Sequence, residues 1–171
     1  RPRIRTWTKV ASTVSPGDSR IHLAEKVDFE DGEDMILTHH SNMYQTEELV
    51  VAGLEDDGYT IVLREPVRFE HISDVYQVAG ETIDMRVEVG IISRNIVVQG
   101  EPGRSEEQMF GSHMMAALGA RLRVENIEIR RCGQAGVLGR YCSHFHIGGD
   151  IRDSYIRSNS IHHSFQRVVT V

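Results

Sequence analysis

The sequence predicts an all-β chain: an antiparallel β module followed by the first coils of a parallel solenoid. Three observations predict it. Helical periodicity is nearly absent, and apolar and β-branched residues come in short runs between turn signals. Similar segments then recur at offsets of about 31 and 32 residues, a period that belongs to solenoids and other repeat folds.

The runs of the first part follow in order. Arg20-Ile21-His22-Leu23 alternates, and Met35-Ile36-Leu37-Thr38 follows the acidic turn Glu30-Asp31-Gly32-Glu33-Asp34. Leu49-Val50-Val51-Ala52-Gly53 and Tyr59-Thr60-Ile61-Val62-Leu63 flank Glu55-Asp56-Asp57-Gly58, an Asp-Gly loop that predicts a hairpin. Val87-Glu88-Val89-Gly90-Ile91-Ile92 leads to Asn95-Ile96-Val97-Val98. In the second part, aligning Val124–Gln134 with Ile156–Gln166 matches Val124 with Ile156, Ile129 with Ile161, Cys132 with Ser164 and Gln134 with Gln166. Asn95–Gly100 falls one period before Asn126–Arg131. In a parallel solenoid such segments stack as neighbouring strands at ~4.8 Å. The reading divides the chain at 5–103 for the β module and its junction, and 104–171 for the solenoid.

Composition bounds the function. The chain has 171 residues, is 40% apolar and 26% charged, and carries a formal net charge of −6. Residues 1–103 hold 10 basic and 19 acidic side chains and residues 104–171 hold 9 and 6, so the halves carry −9 and +3. A uniformly basic nucleic-acid binder is not indicated. The mildly basic second part leaves room for an anionic glycan as partner. No apolar stretch approaches the ~18 residues of a membrane helix. The chain opens at Arg1 and ends inside the apolar run Val168–Val171. That predicts a segment of a longer protein, whose remainder packs on the open solenoid end. Cys132 and Cys142 lack zinc-site spacing. Two readings stay open for them: one disulfide in an oxidising compartment, or two reduced, buried thiols.

Candidate chemistry gathers in the second part. On a strand, His144 and His146 point to one face and Phe145 and Ile147 to the other, with the apolar pair expected in the core. Histidines so spaced suit a divalent metal, with Asp150 as a third ligand after Gly148-Gly149 and His162 or His163 arriving from the next coil. Plain hydrogen-bonded histidines, or contacts to a glycan, are the alternatives. Two-carboxylate glycoside hydrolysis needs a pair at ~5–9 Å. Asp150, Asp153, Glu125 and Glu128 are available, although Glu125 and Glu128 on one strand would face opposite sides. β-Elimination from a uronic acid is the other chemistry. There a His or Tyr takes the proton, and Arg140 or Arg167 neutralises the carboxylate. Neither a P-loop nor GxGxxG occurs, and no motif supports Ser/His/Asp catalysis.

Several segments resemble a known family. Thr6–Val10, Ile21–Phe29 and Gly32–Ile36 resemble the eight-glycine domain, an extracellular β module. Arg86–Ile96 resembles the junction of that module with a parallel β-helix. Gly133–Gly136, Gly139–Tyr141, His144–Asp150 and Ser160–Val171 resemble the helix's first coils. One departure is Cys142-Ser143, where the family usually shows Pro-Ile. The resemblance implies a right-handed, pectate-lyase-like β-helix in an extracellular or cell-surface protein. The family has two branches. Fibrocystin and fibrocystin-like proteins are receptor-like and have no established catalysis. The cell-surface and cell-migration-inducing hyaluronidases depolymerise hyaluronan. The direct run Gly149–Arg157 resembles the fibrocystin-like branch. The implied function is extracellular recognition or scaffolding with glycan contact, and a hyaluronan-degrading enzyme is the alternative. The candidate catalytic residues are then Asp150, His144, His146 and Arg140. Candidate ligand contacts are His162, His163 and Arg167. A divalent metal on His144, His146 and Asp150 is the cofactor hypothesis.

Overall fold

The computed structural model describes residues 3–171. It divides into two compact units, one ending at Ser93 and one from Arg94 to Val171. The boundary falls earlier than the sequence predicts, because residues 97–99 pair with the second unit's strands.

The first unit contains β1 (Trp7–Lys9), β2 (Arg20–His22), β3 (Asp34–Leu37), β4 (Glu47–Glu55), β5 (Thr60–Leu63), β6 (Val75–Val78), β7 (Glu81–Asp84) and β8 (Glu88–Ile91). Six of these make one antiparallel sheet in the order β1-β8-β3-β4-β5-β2, while β6 and β7 form a separate hairpin. Val10 and Leu23, just beyond β1 and β2, form a further antiparallel bridge that joins the two edges of the sheet. Alternation decides what is buried. Ile21, Met35, Leu37, Leu49, Val51, Ile61, Leu63, Val89 and Ile91 all enter one core, and the residues between them face outward or lie half-buried. The Asp56–Gly58 turn joins β4 to β5. Only glycine fits its last position: Gly58 has φ +94°, and a Cβ there would lie 2.5 Å from the Val27 carbonyl.

Within that core sit two polar side chains. Glu47 shares the inward face of β4 with Leu49 and Val51 and is 1% exposed, and His71 is 0% exposed. His71 Nε2 lies 3.0 Å from Glu47 Oε1 and its Nδ1 lies 2.8 Å from the Thr38 carbonyl. The backbone amides of Arg68 and Phe69 and the Arg68 guanidinium also donate to Glu47, at 2.9–3.1 Å. Burial pushes this carboxyl up, but the hydrogen bonds from His71, Arg68 and Phe69 outweigh it and hold it below the usual carboxylate range.

The second unit contains β9 (Val97–Gln99), α1 (Arg104–Gln108), β10 (Met114–Ala116), β11 (Arg123–Glu125), β12 (Glu128–Cys132), β13 (Ser143–Phe145), β14 (Tyr155–Arg157), β15 (Ser160–Ser164) and β16 (Val169–Thr170). Every ladder between these strands is parallel: β9-β12-β15, β10-β13-β16 and β11-β14. The registers Val124↔Ile156, Ile129↔Ile161 and Cys132↔Ser164 are those of the sequence alignment. Equivalent residues therefore stack, with Val98, Ile129 and Ile161 making one row and Val124 and Ile156 another, around a core that includes Cys132 and Cys142. Successive turns are also tied by side chains. Asn159 accepts from the Ile127 amide at 3.0 Å and donates to the Val124 carbonyl at 3.0 Å. Gly111 is locked against the neighbouring coil, where an added Cβ would lie 1.6 Å from the Arg131 carbonyl oxygen.

Candidate functional site

The site grows from β13. Ser143 and Phe145 point inward and are buried, so His144 between them points to the opposite face. It shares a rung there with Met115 on β10 and Thr170 on β16. Although it faces outward, His144 is only 8% exposed. The rings of Tyr141 and His146 lie edge-on to it at 5.0 and 5.1 Å. Its Nδ1 lies 3.0 Å from the Gly139 carbonyl. Leu138, Gly139, Tyr141, His144, His146 and Thr170 line a cleft of about 290 Å³.

A disulfide holds this arrangement. Cys132, at the end of β12, is bonded to Cys142, ten residues on and immediately before β13. The closed loop carries Gly139 and Tyr141, and its Gln134 amide donates to the Arg140 carbonyl at 2.9 Å. The two residues that cover His144 are thus fixed from both ends. The Arg167 guanidinium lies over the Tyr141 ring at 5.7 Å. Arg140 turns elsewhere, over the Phe110 ring at 5.5 Å and hydrogen-bonded to Gln134.

Other predicted residues are not assembled with this pair. The strand ends at Phe145, and Ile147 takes φ +50° and is 72% exposed, so the expected burial of Ile147 is corrected. Asp150 grips Arg152 through bonds to its amide and guanidinium. The Arg152 side chain and then its backbone amide hold the Asp150 carboxyl below the usual range. Among the described residues the ligand atoms of His144, His146 and Asp150 do not gather within metal-binding distance of one another, so the proposed His144–His146–Asp150 metal set is not brought together. His162 and His163 are corrected too. The next-coil neighbour of His144 is Thr170, whereas His162 is in register with Arg130 in a different ladder. His162 Nε2 lies 3.3 Å from Glu128 Oε1, and its Nδ1 lies 2.6 Å from that of His163.

The carboxylates are also committed. Asn126 at φ +57° turns the chain between Glu125 on β11 and Glu128 on β12, so the two were never on one strand. Glu125 pairs with Arg157 at 2.8 Å, Glu128 with Arg130 at 3.0 Å and Asp153 with Arg121 at 3.1 Å. With Asp150 on Arg152, each candidate for two-carboxylate hydrolysis already has a cation. What the cleft offers is an imidazole held from one side and a tyrosine beside it, with Arg167 over that tyrosine but outside the lining. Sequence reasoning missed Tyr141 in this role, and its place next to Cys142 was the available signal. It also missed the Glu47–His71 pair, although Glu47 alternates in phase with Leu49 and Val51.

Residues 109–171 match the family described as CEMIP beta-helix. Human fibrocystin-L is 28% identical over 208 residues, spanning 97% of this chain and 5% of that protein. A G8 domain-containing protein of Dictyostelium discoideum is 29% identical over 170 residues, spanning 97% of this chain and 11% of that one. Human cell surface hyaluronidase CEMIP2 is 32% identical over 149 residues, spanning 76% of this chain and 10% of that one. The chain therefore spans a small fraction of these relatives' length. Among solved structures, the tailspike gp61 of Pseudomonas phage phi297 aligns with a TM-score of 0.41 at 10% identity, over 82% of this chain and 20% of that one. That likeness is too slight to bear on function.

Proposed function

We propose, for a chain related to G8-domain proteins, fibrocystin-L and the CEMIP β-helix, that it is an extracellular recognition and scaffolding segment of a larger fibrocystin-like cell-surface protein, and that it contacts glycan. Residues 94–171 are then the opening coils of a right-handed parallel β-helix. The observation that carries the reading is the cleft at His144, which is shaped by ring side chains and lacks a free carboxylate pair. Aromatic walls with a few fixed polar groups suit a sugar ring, which has both apolar C–H faces and hydroxyl edges. The buried disulfide supports an oxidising compartment. Among the described residues no helix is long and apolar enough to cross a membrane. Incubating the parent protein and the 171-residue chain with size-defined hyaluronan tests the reading. Binding without shortening of the polymer supports recognition.

The second reading is a hyaluronan-degrading enzyme. It is favoured by the similarity to CEMIP2 together with the placing of His144, Tyr141 and Arg167 around one cleft. In that case His144 or Tyr141 would take a proton by β-elimination, with Arg167 opposite the uronate. Shortened chains carrying a new unsaturated end, seen at ~232 nm, would select it.

A further inference from the structure

The cleft's polar groups define which chemical group they can accept. The Gly139 carbonyl only accepts hydrogen bonds, so His144 Nδ1 must donate to it. In a neutral imidazole, Nε2 is then left as a bare acceptor. Among the described residues nothing donates to that nitrogen, although the ring is 8% exposed. One strand over, Thr170 is in register with His144, and its Oγ1 is buried with no partner among the described residues. In-register neighbours lie ~4.8 Å apart. Two groups at that spacing can both be reached by a single oxygen lying between them. Buried polar groups are almost always satisfied, so the orphaned Thr170 hydroxyl beside an acceptor nitrogen calls for a ligand.

The lining decides the ligand's charge. Leu138, Gly139, Tyr141, His146 and Thr170 include no carboxylate, lysine or arginine. A carboxylate or sulfate placed there would face the lone pair of Nε2. An ammonium would find no counter-charge. A hydroxyl meets the requirement, since it donates to His144 Nε2 while accepting from Thr170 Oγ1.

We propose that the His144–Thr170 rung reads one uncharged hydroxyl of a saccharide ring, whose C–H face packs on the exposed Leu138. The inference rests on the glycan reading above and specifies its chemistry. Acidic groups of the same glycan stay outside the cleft, on the side of Arg167, whose guanidinium lies over the Tyr141 ring.

The test uses the 171-residue chain and two probes: chitotetraose, which is uncharged, and a hyaluronan tetrasaccharide. Affinities are measured for wild type, His144→Asn and Thr170→Val, with thermal melting as the fold control. Asn keeps an amide donor for the Gly139 carbonyl, but its shorter side chain places no acceptor at the Nε2 position, so affinity for chitotetraose should fall at least ~10-fold. Val keeps the shape of Thr170 and removes an unpartnered hydroxyl. Its melting temperature should hold or rise while affinity falls several-fold, a combination that a purely structural role does not produce. Wild-type binding with both variants at full affinity overturns the rung assignment and leaves the glycan reading in place. Binding of neither probe by wild type overturns both.

Discussion

Replacing Glu47 with Gln tests whether the buried Glu47–His71 pair holds the antiparallel unit together. Three N–H groups converge on Glu47 Oε1, from Arg68, Phe69 and His71. The glutamine must keep its carbonyl oxygen there, which turns its NH₂ toward the Arg68 guanidinium. That guanidinium is on a largely exposed side chain and can swing into water. The main loss is therefore the acceptor's charge. A hydrogen bond to a charged group is worth ~1.5–3 kcal/mol and a neutral one ~0.5–1.5, so three such bonds lose about 3 kcal/mol in total. This agrees with the ~3–5 kcal/mol typical of breaking a buried ion pair. Urea unfolding followed by the fluorescence of Trp7, the single tryptophan, reports on this unit. With m of ~1–3 kcal/mol/M, the midpoint should fall by roughly 1–3 M at pH 7. The pH dependence carries a definite sign. Because the folded carboxyl is held below its ordinary value, its contribution is complete above the unfolded pKa of ~4.3 and is lost as pH falls through the lower folded value. The Gln variant should lack that part of the acid slope. A loss below ~1 kcal/mol at pH 7, with the acid slope unchanged, would refute the reasoning.

Three further outcomes are expected. Alkylation without reductant should label neither cysteine in intact-mass analysis, and Cys132→Ser/Cys142→Ser should cost roughly 3 kcal/mol for a loop of this length; two labelled thiols would contradict it. Gly111→Ala should destabilise the coils by ~1–3 kcal/mol or more, because its methyl meets the Arg131 carbonyl, and circular dichroism melts would detect it; a change within ~0.5 kcal/mol would count against the packing. Asp150→Asn should leave oligosaccharide affinity unchanged by calorimetry, since its carboxylate serves Arg152; a large loss would return Asp150 to the site.

Much of the fold was legible because stacked coils repeat their side chains. Ile129 and Ile161 must both enter the core, so the sequence offset was also the register. The strands missed are short. β10, β13 and β16 have two or three residues each, too few for alternation to show, and their ladder carries the cleft. That is why His162, prominent in sequence, was expected beside His144, while Thr170 was overlooked. Alternation was also extended too far, through Ile147, because nothing local announces that the strand stops at Phe145. Pairing between distant charges was not legible at all. Asp153 with Arg121, and Glu125 with Arg157, depend on which coils lie together.

The measurement that bears most directly on the recognition account is amide and side-chain NMR mapping of the 171-residue chain titrated with size-defined hyaluronan oligosaccharides. The account predicts shift changes concentrated at Gly139, Tyr141, His144, His146 and Thr170, with the oligosaccharide recovered at its original length. Shifts that avoid this cleft, or no binding at millimolar saccharide, would contradict it.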